Sequence, residues 1–151
     1  MTDQAERLRA LVKSRKPKRP PAQVFPLAGT AGSGCSTLAQ NLAALWAAQG
    51  KRTLVFDAAG AASGSAASLG VKADKLLADA FAKGTPAGEI AQQGVRGVTF
   101  IAGAPDPAQI RALSSERRNV ARRSLKALAE DADVILLDLG SGRQALDLAG
   151  A

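Results

Sequence analysis

Residues 24–41 read V-F-P-L-A-G-T-A-G-S-G-C-S-T-L-A-Q-N: an apolar run, a glycine-rich turn and the start of an Ala/Leu-rich helix. Glycines at 29, 32 and 34 let the backbone turn its amide N–H groups inward. The helix that follows adds its positive N-terminal end, and the two together make a cradle for an anion such as phosphate. Against the pattern G-x-x-x-x-G-K-[ST], Gly29 and Gly34 stand at the right spacing. Ser36 supplies the hydroxyl that ligates magnesium in such loops, and Cys35 occupies the Lys position.

Downstream of this loop, apolar runs and helical stretches alternate. Strands are expected at 52–56, ending at Asp57, at 98–102, and at 134–137, ending at Asp138. Helices are expected at 36–49, closed by Gly50, at 76–83, stopped by Gly84, near 86–92, and at 107–129 with a break near Ser114-Ser115. Residues 58–70 are small and flexible. Strands separated by helices predict the α/β class, with a parallel sheet of about four strands and right-handed crossovers. In the long helix, Ile110, Leu113, Val120, Ala121 and Leu128 supply the buried side. Arg117, Arg118, Arg122, Arg123 and Lys126 give a basic face that is solvated, with Glu116 and Glu130 as partial partners. Glu130, Asp131 and Asp133 form a polar turn before the last strand.

Upstream, the chain divides into two further pieces. Residues 1–14 carry a short helix over 3–14: Asp3 caps it, Glu6 completes a D-x-x-E capping box, and Leu8, Leu11 and Val12 form an apolar stripe. Residues 15–22 hold the run R-K-P-K-R-P-P, a basic, proline-rich tether that makes neither helix nor packed strand. The domain proper spans 23–151.

The chain has 151 residues, enough to bury roughly 70% of the surface its unfolded form exposes. Apolar residues make up 46%, much of it Ala, and aromatics only 3%, so Trp46 and the four Phe are the large anchors for a core of small side chains. The absence of His excludes a Ser-His-Asp triad, a His general base and a His-ligated metal. A single Cys excludes an internal disulfide and a multi-Cys metal cluster, and suits a reducing cytosol. The net charge of +7 is lopsided: residues 1–20 carry +5, leaving +2 for the rest. The basicity therefore belongs to an N-terminal arm, a solvated linker with anionic lipid or nucleic acid as the lesser alternatives. No apolar stretch is long enough to span a membrane, and a secretory leader is not expected from residues 1–20 as they stand.

Several of these segments resemble one family. T-A-G-S-G-C-S-T (30–37) is similar to the deviant P-loop K-G-G-x-G-K-[ST]-[ST] of MinD/ParA-type ATPases, and S-T-L-A-Q-N-L-A (36–43) to the helix that follows it. A-A-Q-G-K-R-T-L-V-F-D (47–57) resembles the family's second strand, and V-I-L-L-D-L-G-S-G (134–142) its Walker B strand and switch loop. D-Q-A-E-R-L-R (3–9) matches the D-Q-A-x-x-L-R element at the start of the FlhG (FleN) group, the MinD-like regulators of flagellar number.

The resemblance implies a P-loop NTPase-like fold and ATP with Mg2+ as cofactors. It places nucleotide on Gly29, Thr30, Gly32, Ser33, Gly34, Cys35, Ser36 and Thr37, and the metal on Ser36, Asp57 and Asp138. It implies that the N-terminal helix stimulates the signal-recognition-type GTPase FlhF through Asp3, Gln4, Ala5, Leu8 and Arg9. Gln4 would orient water in the partner's site, while Leu8 and Arg9 anchor the helix. The bland alternative is that Leu8, Leu11 and Val12 simply dock on the domain. Flagellar switch or basal-body proteins and a second copy of the chain are further implied partners. The implied location is cytoplasmic, with peripheral recruitment to the membrane at the flagellar base; nucleic acid is a minor alternative.

The chain departs from the family's pattern at its cations. The signature Lys aligns with Thr30, the P-loop Lys with Cys35, and the second carboxylate of the D-x-D with Ala59. Each lost charge-assisted contact is worth ~1.5–3 kcal/mol, so nucleotide affinity should fall by about 10²–10⁴. Phosphoryl transfer depends on positioning and charge stabilisation, so no catalytic residue is assigned and hydrolysis is not expected. A working ATPase switch that binds ATP weakly is the alternative, and a nucleoid- or lipid-binding module the second. Cys35 is a small replacement or, on the sharper view, a reactive thiol at a helix end; a phosphatase-type C-x5-R is excluded by Asn41. Family members continue past the Walker B loop, so the resemblance implies that this chain corresponds to the first half of the domain. The P-loop strand is then expected to have one bare edge, which something completes unless the chain is a fragment.

Overall fold

A computed structural model describes residues 19–58, 65–72, 74–103 and 107–141. The helix expected over 3–14, tether residues 15–18, Ala59 and the residues after 141 lie outside the described residues. Five strands form one sheet: β1 (Gln23–Gly29), β2 (Thr53–Asp57), β3 (Gln92–Gln93), β4 (Thr99–Ala102) and β5 (Val134–Ser141). Their spatial order is β1-β5-β2-β4-β3. The helices are α1 (Cys35–Ala48), α2 (Ser65–Ser68), α3 (Leu77–Lys83), α4 (Ala87–Ile90), α5 (Pro107–Ala112) and α6 (Ser115–Asp131).

β1, β5, β2 and β4 run parallel, as the alternation of strand and helix requires. The strands β2 and β5 are central and read as continuous apolar runs because both faces are covered. On one face, Ala43 of α1 packs with Val55, Phe100, Leu136, Leu69 and Val71. On the other, Leu54, Ile101 and Ile135 meet Leu77, Ala80, Ala87 and Ile90, with Leu125 and Leu128 of α6 packed against them.

The break in the long helix falls where it was expected. Ser114 ends one segment and caps the next, its Oγ accepting from the Arg117 N–H at 3.3 Å. Five details differ from the sequence reading, the first being that β5 runs on to Ser141 instead of ending at Asp138. The helix expected near 86–92 stops at Ile90, and residues 92–93 form a fifth, antiparallel strand on β4. Gly94 closes that turn by donating to the Val98 carbonyl at 2.8 Å. The segment read as small and flexible contains α2 and buries Ser65 and Leu69. Val120 is 38% exposed, while its neighbour Ala121 is the buried one. Phe25 is not a core anchor: it lies on an exposed strand and rests against Trp46, ring centroids 4.9 Å apart.

Among the described residues, β1 is paired on one side only, giving the expected bare edge. The Gln23 N–H donates to the Asp133 carbonyl at 3.0 Å. Backbone polar groups alternate sides along a strand, so residues 23, 25 and 27 face β5 while 24, 26 and 28 face away. Pro26 therefore falls on the outward row, where its missing N–H costs no ladder bond. It also removes a donor from the free edge and blunts it against strand addition.

An ion pair ties the start of β2 to the turn before β5. The Arg52 backbone N–H and Nε donate to Asp133 Oδ2 at 2.9 and 3.0 Å, and its Nη2 bonds Oδ1. The Arg52 side chain, its backbone N–H and its charge hold the Asp133 carboxyl down to about 2, from an ordinary ~3.9. A carboxyl lowered on folding stabilises above its unfolded pKa and loses that contribution as pH falls through the folded value. Asp133→Asn should therefore lower the melting temperature at pH 7, and the gap should close as pH falls from ~4 toward 2. Melts recorded across that range check it; a gap independent of pH would contradict it.

Candidate functional site

The C-terminal ends of parallel strands are where open α/β sheets bind ligands. Here the register sets Asp57 opposite Asp138, and Asp138 opposite Leu27, two residues before Gly29. The glycine-rich loop and both aspartates therefore share one end of the sheet.

The loop itself is built by its glycines. Gly32 and Gly34 have φ of 78° and 82°, the left-handed region that other residues avoid. The Ser33 N–H donates to the Thr30 carbonyl at 3.0 Å, and the Leu38 N–H to the Gly34 carbonyl at 2.8 Å, which starts α1. No side chain caps α1 and its first turn holds no acid, so the helix end keeps its positive character for an anion.

Ser33 and Cys35 fold back over Gly29, with Ser33 Oγ donating to Cys35 Sγ at 3.4 Å. A Cβ on Gly29 would stand 2.4 Å from Ser33 Oγ and 2.6 Å from Cys35 Sγ. Both side chains would have to swing, so on the reading that the loop holds ATP, Gly29→Ala should lower that affinity. Calorimetric titration checks this; unchanged affinity would mean that the loop does not hold the phosphates.

The aspartates are deep. Asp57 is 2% exposed and Asp138 0%. Asp138 Oδ1 accepts the Gly140 N–H at 3.2 Å, and Oδ2 accepts Ser65 Oγ at 3.4 Å. Gln40 of α1 in turn donates to Ser65 Oγ at 2.9 Å. This relay joins the helix after the loop, α2 and the end of β5. Sequence reading had no signal for Gln40 or Ser65, which lie 25 and 73 residues from the partners they join. Among the described residues, no buried side-chain nitrogen or oxygen lacks a hydrogen-bond partner.

The structure thus brings Gly29, Thr30, Gly32, Ser33, Gly34, Cys35, Ser36, Thr37, Asp57 and Asp138 to one end of the sheet. The residues Asp3, Gln4, Ala5, Leu8 and Arg9 lie outside the described residues. The donor set fits a phosphate: uncapped amides at a helix end, glycines in left-handed turns, and the hydroxyls of Ser36 and Thr37. Among the described residues no three acidic, Cys or His side chains cluster as metal ligands, and both Asp138 oxygens already have protein partners.

The sequence matches no protein-family model and no curated protein. Solved structures do match. The kinase domain of the Escherichia coli tyrosine kinase ETK aligns with a TM-score of 0.67 at 20% identity, over 97% of this chain and 56% of that one. The septum site-determining protein MinD of Pyrococcus horikoshii, complexed with Mg-ADP, aligns with a TM-score of 0.62 at 21% identity, over 83% of this chain and 52% of that one. The MinC:MinD cell division complex of Aquifex aeolicus gives 0.62 at 22% identity, over 81% and 48%. The chain spans about half the length of these structures. No helix of the described residues is long and apolar enough to cross a membrane. The fold of this chain, a mostly parallel five-stranded sheet flanked by helices, is similar to that of the ETK kinase domain and the MinD structures.

Proposed function

We propose that this protein is a regulator of the FlhG type, whose N-terminal D-Q-A-E-R-L-R segment stimulates GTP hydrolysis by an FlhF-like GTPase. Its phosphate loop binds ATP weakly and does not turn it over. One observation carries this reading: the loop keeps its glycine-built amide cradle while Thr30 and Cys35 stand where cations are needed, beside an intact N-terminal motif. In the bound state the loop amides, Ser36 and Thr37 would hold the phosphates, and Asp138 would share its Oδ2 with Ser65 to reach a magnesium shell. Magnesium, when bound, would neutralise phosphate charge. With no lysine in the loop, positive potential comes only from amide dipoles, which suits binding without catalysis.

The purified chain should raise GTP turnover by an FlhF-like GTPase and hydrolyse no ATP of its own. Absence of stimulation would remove the proposal. A second reading, a weak ATP-driven switch that dimerises, draws on the pairing of Asp57 with Asp138 beside the loop. It also draws on the magnesium-nucleotide complex among the structural neighbours. It predicts ATP turnover that Asp138→Ala abolishes.

A further inference from the structure

A helix with one face in water ordinarily carries charge on that face, and α6 does so with Arg122, Arg123 and Lys126 exposed. The other long helix does not. None of the 14 residues of α1 is charged. Leu38 is 50% exposed and Leu45 is 52% exposed. They stand two turns apart, one above the other on the same line of the helix. Leu42 lies between them, and it and Trp46 are only partly buried. Trp46 reaches the bare edge of the sheet, where its ring lies 4.9 Å from that of the exposed Phe25. Six large apolar residues are exposed among the described residues, and three of them (Phe25, Leu38 and Leu45) share this one shelf.

We propose that a second copy of this chain covers the shelf, in a two-fold pair that needs no nucleotide. Charge selects this occupant. The chain carries +7, so two copies repel wherever cations line the surface. At α1 an uncharged apolar strip meets its own image, and no ion has to be stripped of water. A partner recognised through its charge finds no counter-charge on α1. Asn41, exposed on the same face, donates its Nδ2 to the Thr37 carbonyl at 2.7 Å, so it enters the contact with a donor already satisfied. Pro26 sets the mode of contact. Its missing N–H denies an incoming strand a bond in the middle of β1, so the copies meet through side chains of α1 and β1, not through a continuous ladder.

Size sets the strength. At 1.5 Å per residue α1 is about 21 Å long and, with its side chains, about 10 Å wide. One strand spacing adds about 5 Å, giving on the order of 300 Å² in projection and more once side-chain relief is counted. Patches of that size on single chains often serve a function. The footprint is below the ~800 Å² that each partner gives to a standard interface, so the pair should form in the micromolar range.

Trp46 is the single tryptophan of the chain, so its emission reports the contact. Sedimentation velocity of the full-length chain, without nucleotide, should show monomer passing to dimer as concentration rises through the micromolar range. Trp46 emission should move to shorter wavelength in step. Leu38→Glu/Leu45→Glu sets like charges against each other and should weaken association at least about 100-fold. The monomer should keep its fold, since both leucines are half exposed. The milder Leu45→Ser should weaken association at least about ten-fold, which keeps the test sound if the double variant melts early. Val120→Glu, at an exposed position of α6, should leave the dimer intact. Added salt should tighten the pair by screening +7 from +7. A wild type still monomeric at a concentration on the order of millimolar would overturn the proposal. So would a dimer that survives both leucine variants, or one that salt dissolves. A dimer that forms only with ATP and magnesium would also overturn it, in favour of the ATP-driven switch. None of these readouts involves the GTPase, so failure of the functional reading leaves them interpretable.

Discussion

Lysine at both Thr30 and Cys35 should tighten ATP binding by roughly 10²- to 10⁴-fold, because each restores a charge-assisted phosphate contact worth ~1.5–3 kcal/mol. The backbone is already in place for the change. Gly32 and Gly34 hold the left-handed turns, α1 begins without a cap, and Gly29 has no Cβ to obstruct a longer side chain at position 35. Position 35 opens α1, where a lysine can fold back toward an anion held by the loop amides. Titration calorimetry of Thr30→Lys/Cys35→Lys against wild type, with ATP and magnesium, measures the gain. An affinity unchanged within a factor of two would show that the loop does not present its amides to phosphate. Hydrolysis should stay absent even then, since Ala59 supplies no carboxylate to orient water.

The largest stability effect is expected at Phe100. It is fully buried in β4, and no other aromatic residue falls in the buried class among the described residues. It packs in one cluster with Val55, Leu69, Val71, Val98 and Leu136. Alanine there removes a ring whose neighbours are mostly small or anchored in the sheet, so the cavity collapses poorly and the cost should be ~3–5 kcal/mol. That is a large share of the roughly 5–15 kcal/mol by which domains of this kind are stable. Denaturant unfolding should show a fall in midpoint at an unchanged slope. A loss below ~1 kcal/mol would mean that the sheet relaxes into the space.

Much of the architecture was legible because its signals are local. Apolar runs ending at Gly29 and Asp57 marked two strand ends, Gly50 and Gly84 marked helix stops, and Ser114 marked the break that its side chain caps, whereas β5 runs on past Asp138 to Ser141. The glycine-rich loop was legible for the same reason, since its glycines lie within six residues. What stayed hidden is long-range. The fifth strand is two residues long, too short to carry a period. The relay from Gln40 through Ser65 to Asp138, and the pair Arg52–Asp133 across 81 residues, depend on which strands become neighbours. Phe25 read as a core anchor because composition cannot say which strand lies at an edge; Pro26 next to it carried the edge signal.

The central claim is that the N-terminal segment acts while the phosphate loop has lost its cations. GTP turnover by an FlhF-like GTPase, measured with wild type, Gln4→Ala and Thr30→Lys/Cys35→Lys, tests it directly. The account predicts stimulation by wild type and by the lysine-restored chain alike, and none by Gln4→Ala. Stimulation that survives Gln4→Ala, or that appears only after the lysines are restored, would contradict it.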